Sequence, residues 1–123
     1  MSKRPLMVGF LAFLSLTASS RTVERVGIVA RPRAYNGACP ATLEFIATIF
    51  VNRYPIVAEY QWERSDGAVS GRRRVNIRSR GQGVRENWTL GRGRASLHVW
   101  ERLHVLAPTN ILSPVAPVTV NCR

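Results

Sequence analysis

Cys39 and Cys122 are the only cysteines of the chain, and they could form either a disulfide or two free thiols. They bracket nearly all of the strand-like sequence, since one precedes the first long alternating run and the other is the penultimate residue. The compartment decides between the two states, because disulfides persist outside the cytoplasm and are rare within it. A bridge would close a loop of about 80 residues, worth about 4–5 kcal/mol in the chain-entropy model.

The first 20 residues predict the compartment. Lys3 and Arg4 precede an apolar run at 6–16, and small residues follow at 17–20, which is the layout of a signal peptide. The apolar run is too short to span a bilayer of about 30 Å as a helix, although an N-terminal strand or membrane stub is the alternative. We expect a signal peptide at 1–20 and a single domain at 21–123. The mature protein should be secreted, extracellular or periplasmic, and not membrane-spanning, with Cys39 and Cys122 bonded to each other.

The other polar residues do not form a pattern typical of a catalytic or metal site. His98 and His104 would lie about 20 Å apart along an extended strand, too far to bind one metal ion. Glu59 and Glu63 would lie about 13 Å apart, beyond the spacing of a glycosidase carboxyl pair. No Gly-x-Ser-x-Gly sequence surrounds a serine. The sequence therefore predicts a protein that is not an enzyme and has no metal ion or cofactor.

Positive charge is the strongest remaining chemical signal. The formal net charge is +11, and removing Lys3 and Arg4 leaves 16 basic against seven acidic residues, or +9. Every remaining basic residue is arginine, which indicates either selection for bidentate anion contacts or the codon usage of a GC-rich genome, and we favour the second account. In both cases the surface should attract polyanions non-specifically and in a salt-dependent way.

The densest basic segment runs from residue 72 to residue 80. Alternation along an edge strand would place four candidate anion-binding residues on one face: Arg72, Arg74, Arg78 and Arg80. We name these four residues the arginine segment. Its expected ligand is an acidic polysaccharide or another anionic component of the envelope, and the favoured alternative is a solvated edge that resists aggregation. No groove-reading helix or aromatic-basic sheet motif predicts specific nucleic-acid recognition.

Two tryptophans need separate interpretations. Trp62 is in phase with other apolar residues on an alternating run and is expected in the core. Trp100 alternates with His98, Arg102 and His104, so it is a weak candidate for stacking on a sugar. Amphipathic covering of a sheet edge is the favoured alternative for Trp100.

Strands must position all of these residues. No stretch after Ser20 has apolar residues at helical spacing over three turns, and alternation broken by turn residues recurs instead. The pattern predicts strands at 23–31, 41–51, 56–63, 72–80, 84–90, 95–106 and 114–122. From residue 41 onward this gives six strands. If successive strands are antiparallel, an even number places Cys39 and Cys122 at the same pole, as a disulfide requires.

Five short strings spread over residues 35–122 carry a family likeness. They are Cys39-Pro40-Ala41-Thr42, Tyr60-Gln61-Trp62-Glu63-Arg64-Ser65-Asp66-Gly67, Trp88-Thr89-Leu90-Gly91, Trp100-Glu101-Arg102-Leu103-His104-Val105-Leu106-Ala107-Pro108 and Val120-Asn121-Cys122. In this order they resemble small immunoglobulin-like domains of secreted bacterial proteins. The resemblance implies an all-β, immunoglobulin-like antiparallel sandwich of about seven strands, bridged from its start to its last strand and usually without an assigned activity. The cysteine positions depart from the antibody pattern, so antibody-like binding loops are not implied.

These observations predict a secreted, non-catalytic module that binds or spaces at the cell envelope, with the arginine segment as its contact to anionic polymers. The alternative is a purely structural or protein–protein interaction domain that has no glycan or small-molecule ligand.

Overall fold

Nine strands make up the regular structure of the chain in a computed structural model that describes residues 21–123. They are β1 Val23–Arg31, β2 Ala34–Gly37, β3 Ala41–Val51, β4 Ile56–Arg64, β5 Arg73–Ile77, β6 Gly81–Leu90, β7 Ser96–Ala107, β8 Ile111–Leu112 and β9 Ala116–Cys122. Over these residues no helix is long and apolar enough to cross a membrane. The predicted signal peptide lies outside the described residues. The all-β class is confirmed.

The strands form two sheets. The smaller has the order β1-β3-β6, and the larger has the order β2-β9-β7-β4-β5 with β8 beside β7. Every pairing is antiparallel except that of β2 with β9, which is parallel. This is the architecture of an immunoglobulin-like sandwich, as predicted.

The core lies between the inner faces of the two sheets. Along β3 alternate residues are buried, so Leu43 and Phe45 have no exposed surface while their neighbours are partly or fully exposed. Trp62 of β4 and Leu103 of β7 contribute from the larger sheet. Each such side chain stabilises the fold by roughly 1.5–3 kcal/mol relative to its exposed state. The prediction of a core tryptophan at Trp62 is confirmed.

A disulfide joins Cys39 to Cys122, as predicted, with 5.4 Å between the two Cα atoms. Cys39 lies just before β3, and Cys122 ends β9. Successive strands do not all pair with each other, because β3 pairs with β1 and β6 and not with β4, but the pole predicted by the parity argument is the one observed. Both cysteines lie at the same pole because β3 begins there and β9 ends there.

Several strand bounds differ from the prediction. The strand at 41–51 is confirmed with the same bounds, whereas β5 covers only the middle of 72–80 and β6 begins three residues earlier, at Gly81. The sequence did not predict β2 or β8, which are four and two residues long. β2 has the composition of a turn and is extended because it pairs with β9, where Asn121 Nδ2 donates a hydrogen bond to Asn36 Oδ1 at 2.9 Å.

Candidate functional site

The arginine segment begins at the outer edge of the larger sheet and ends beside the smaller sheet, where the Arg80 carbonyl accepts a hydrogen bond from Val51 N of β3 at 2.9 Å. Arg74 is on the edge strand β5, opposite Glu59 of β4, while Arg72 precedes this strand and Arg78 and Arg80 follow it. All four arginines are exposed. Arg72 Nη1 lies 3.6 Å from Glu59 Oε1, and the other three form no ion pair with any described residue. The edge position is confirmed for Arg74, but the strand ends at Ile77, so the alternation that would place Arg78 and Arg80 on the same face does not extend to them. The anion-binding role stays a prediction.

The arginine segment does not surround a common pocket. Of its four members only Arg78 lines one, a shallow depression shared with Ile56, Val57 and Asn76. Arg73, which the alternation places on the opposite face, points toward the other sheet and its Nη1 lies 3.0 Å from Glu86 Oε1. The segment is therefore a group of exposed charges and not an enclosed binding site.

Charge over the whole surface is strongly unbalanced. Five of the seven acidic residues are already bonded to arginine: Glu44, Glu59, Glu63, Glu86 and Glu101. Only five arginines take part in these bonds, so 11 of the 16 arginines at 21–123 have no ion-pair partner in that range. Most of the net positive charge therefore remains available to solvent or to a ligand.

Trp100 lies at a second surface depression, of about 370 Å³, which it shares with Glu63, Arg102 and Val69. The guanidinium of Arg102 lies 5.4 Å from the centroid of the Trp100 ring. Arg102 Nε also donates a hydrogen bond to Glu63 Oε1 at 2.8 Å. Arg102 therefore covers part of the indole ring that a sugar would contact. The stacking role of Trp100 stays a prediction.

The two histidines lie in different environments. His104 Nδ1 is 3.0 Å from Glu63 Oε2, and its Nε2 is 2.8 Å from Asn110 Oδ1. His98 lies 3.4 Å from the hydroxyl of Thr119. Residues 21–123 contain no group of three or more His, Cys, Asp or Glu side chains placed to hold a metal ion.

Glu63 is the centre of this surface network. Burial opposes ionisation of its carboxylate, but hydrogen bonds from Arg102, His104 and Gln61 outweigh that effect, and the pKa of Glu63 lies below its usual value. The carboxylate is thus held ionised between two cationic or donating side chains. This network makes Arg102 and His104 hydrogen-bond partners of Glu63.

A buried ionic cluster, which the sequence did not predict, joins the two sheets near the end of β4. Arg64 Nε lies 3.2 Å from Glu101 Oε2 of β7, and Arg64 Nη2 lies 3.3 Å from Glu86 Oε2 of β6. Arg64 Nη2 also donates a hydrogen bond to the carbonyl of Asn87 at 3.2 Å. Its guanidinium lies 4.7 Å from the ring centroid of Trp88. One arginine of the larger sheet therefore contacts the edge strand β6 of the smaller sheet in three ways.

Glu101 is the most unusual member of this cluster, since a carboxylate rarely has no exposed surface. Burial raises the pKa of Glu101 to about 7, although the charge of Arg64 acts to lower it and that of Glu86 raises it further. Glu101 Oε1 and the buried Trp62 Nε1 have no hydrogen-bond partner among the described residues. Perturbed carboxylates occur at functional sites and in structural ion pairs alike. Here the partners of Glu101 tie strands together, and a small depression of about 110 Å³ beside them is lined by Arg64 and Glu86 but not by Glu101.

Comparison with known proteins supports the fold. No protein-family model and no curated protein matches the sequence. Among solved structures, the chain is similar to a CARDB domain of a Pyrococcus furiosus protein, which was solved in complex with di-metal ions. The TM-score is 0.54 and the identity 10%, and the match covers 85% of this chain and all of that domain. At this identity the likeness shows a shared immunoglobulin-like sandwich and not a shared ligand.

Proposed function

We propose that this chain is a non-catalytic binding module that acts outside the cytoplasm and attaches to anionic polymers of the envelope through the arginine segment. The observation that carries this proposal is the exposure of Arg74 on the edge strand and of Arg78 and Arg80 after it, without ion-pair partners in the described residues. Guanidinium groups bind the carboxylate or sulfate groups of an acidic polysaccharide through paired hydrogen bonds.

Two further features support a non-catalytic module that acts outside the cytoplasm, the first bearing on the compartment and the second on catalysis. The disulfide is typical of a protein outside the reducing cytoplasm. The strongly perturbed carboxylate, Glu101, is buried against Arg64 and is not placed to contact a substrate. Secretion and the envelope location rest on the signal peptide predicted from the sequence.

Heparin, an acidic polysaccharide, is a suitable probe. A variant with alanine at all four positions of the arginine segment should elute from a heparin column at clearly lower salt than the unmodified protein. A matched variant should carry alanine at four exposed arginines elsewhere, namely Arg53, Arg92, Arg94 and Arg123. Both variants lose four positive charges, so a difference in the salt concentration at which they elute reflects where the charges lie and not how many there are.

The expected result is that the matched variant elutes much closer to the unmodified protein. Equal elution of the two variants would mean that net charge alone governs retention, and the proposed site would be wrong. Absence of retention near physiological salt, together with concentration-dependent dimerisation, would favour the alternative of a structural or protein-interaction domain.

A further inference from the structure

The free edge of β1 differs from the other three sheet edges. Residues 21–123 provide β1 with one neighbour only, the strand β3. The edge strands β2 and β5 are just four and five residues long, and arginines flank β5. β6 is ten residues long, but Arg64 donates to its Asn87 carbonyl and Glu86 is held by Arg64 and Arg73. β1 is a nine-residue edge, and Thr109 Oγ1 accepts a hydrogen bond from its first amide, Val23 N, at 3.1 Å, whereas no described side chain bonds to the backbone of the rest of the strand.

An apolar groove runs beside this edge. It has a volume of about 260 Å³ and lies between the second half of β1 and the start of β9. Val29 on β1 and Val115 before β9 expose 52% and 42% of their surface beside the groove. Pro117 and Arg33 also line the groove. An added strand requires free backbone groups on a sheet edge and, next to them, pockets for its alternate side chains.

The charge around the groove selects the partner. Arg25, Arg31 and Arg33 are exposed and form no ion pair with any described residue, while Glu24 is the only acidic residue of β1. Arg25 is held over the ring of Phe50, 3.8 Å from its centroid. A second copy of this chain would bring another strongly positive surface to the same edge, which like-charge repulsion disfavours. Charge complementarity therefore favours an acidic partner.

We propose that the free edge of β1 binds an extended, acidic segment of a partner protein, which adds to the smaller sheet as a further strand. Main-chain hydrogen bonds to β1 would supply the affinity, the groove at Val29 and Val115 would accept an apolar side chain, and the three arginines would contact the acidic ones. This surface lies at β1 and β9, whereas the arginine segment lies at and after β5, on the far side of β7 and β4 in the larger sheet, so either site can fail without the other.

The probe is a synthetic, capped peptide of nine residues that alternates valine and glutamate, labelled for fluorescence anisotropy. The control peptide has the same charge but carries prolines at two interior valine positions, because proline cannot complete the ladder. With protein expressed from the full sequence, we expect the alternating peptide to bind about tenfold more tightly than the proline peptide. We also expect it to slow hydrogen exchange of the β1 amides.

Substitutions then locate the binding site. Val29→Glu and Arg33→Glu should each weaken binding of the alternating peptide about tenfold. Val57→Glu is the matched control, because Val57 is also 52% exposed but lies on β4 near Arg78. Val57→Glu should weaken heparin retention and leave peptide binding unchanged. Val29→Glu should weaken peptide binding and leave heparin retention unchanged.

Equal binding of the two peptides, or equal effects of Val29→Glu and Val57→Glu, would overturn the proposal. So would sedimentation that shows self-association abolished by Val29→Glu, since the edge would then belong to a second copy of the chain. Heparin retention is measured on the same variants, so the two proposed sites are tested separately.

Discussion

Arg64 Nε lies 3.2 Å from Glu101 Oε2, and these two residues are also directly opposite each other in the β4–β7 pairing. The carboxylate has no exposed surface, whereas the side chain of Arg64 keeps a quarter of its surface exposed. Such a pair adds little net stability, because desolvation consumes most of the attraction, but loss of one partner leaves the other charge buried alone. The pair therefore favours one position of the end of β4 relative to the strands beside it.

Stability should fall as pH rises from about 5 to about 8. The pKa of Glu101 is about 7 in the folded protein, whereas a glutamate free in water has a pKa of about 4.3. Between these values the folded state binds more protons than the unfolded state, so raising the pH favours unfolding by up to roughly 3 kcal/mol. Urea unfolding at both pH values measures the change, and Glu101→Gln should remove most of it.

The Gln variant is the necessary control, since every other titrating group is shared by the two proteins. Glu63 has the opposite effect on stability, because its pKa is lowered in the folded state. Its contribution to the unfolding free energy is present above about pH 4.3 and is lost as the solution becomes more acidic. An unfolding free energy of Glu101→Gln that falls with pH as steeply as that of the unmodified protein would assign the slope to another group.

Replacement of Arg64 should be far more costly than replacement of an exposed arginine in a similar pair. Arg64→Met keeps an apolar stem of similar length against Trp88 but leaves the Glu101 carboxylate without its partner, at a cost of about 3–5 kcal/mol at pH 8. Arg102→Met breaks the more exposed pair with Glu63 and should cost about 1 kcal/mol or less. Denaturant midpoints of both variants test the difference.

The unfolding free energy lost on Arg64→Met should depend on whether residue 101 is a glutamate. In a Glu101→Gln background, Arg64→Met no longer leaves a buried charge, so the substitution should cost about 2 kcal/mol less than it does alone. Additive costs would show that Arg64 acts through Glu86, Trp88 and the Asn87 carbonyl and not through Glu101.

Period-two alternation was enough to predict the long strands, because it records directly which side chains of a strand face the core. β3 is the clearest case, with its apolar residues in strict alternation and the predicted bounds observed. β2 could not be predicted in this way, since its extended conformation depends on β9, which lies more than 80 residues away in the chain.

The sequence pattern gives little indication of the ionic cluster of Arg64, Glu86 and Glu101. Glu101 interrupts the apolar series of β7, and Glu86 stands between Val84 and Trp88 in the same phase of β6. Both acids therefore had to face inward, but their common partner Arg64 lies at the end of a third strand. Only the packing of the two sheets brings these three residues together.

Removal of the disulfide should destabilise the domain substantially. The bond joins residues 83 positions apart and so restricts most of the unfolded chain. We expect the Cys39→Ser, Cys122→Ser double variant to lose about 2–5 kcal/mol of unfolding free energy, and the reduced unmodified protein to lose a similar amount. Urea unfolding with and without reductant measures both losses. A double variant as stable as the oxidised protein would show that strand pairing alone restricts the chain.

Gly91 should be the glycine least tolerant of substitution, for two reasons that can be separated. Its φ of +94° disfavours any side chain, and a Cβ there would lie 2.9 Å from Cys122 Sγ and 3.0 Å from Cys39 Sγ. Gly93 has a φ of +61°, but a Cβ at that position would have no neighbouring atom within 4 Å. The stability lost on Gly93→Ala therefore measures the effect of the backbone conformation alone.

We expect Gly93→Ala to cost about 1 kcal/mol and Gly91→Ala about 3 kcal/mol, measured by urea unfolding of the oxidised proteins. In the double serine background the cost of Gly91→Ala should fall, because the serine hydroxyls are smaller than the bonded sulfurs and can turn away. An unchanged cost in that background would assign the whole effect to the backbone conformation of Gly91, and the disulfide would then tolerate a methyl group beside it.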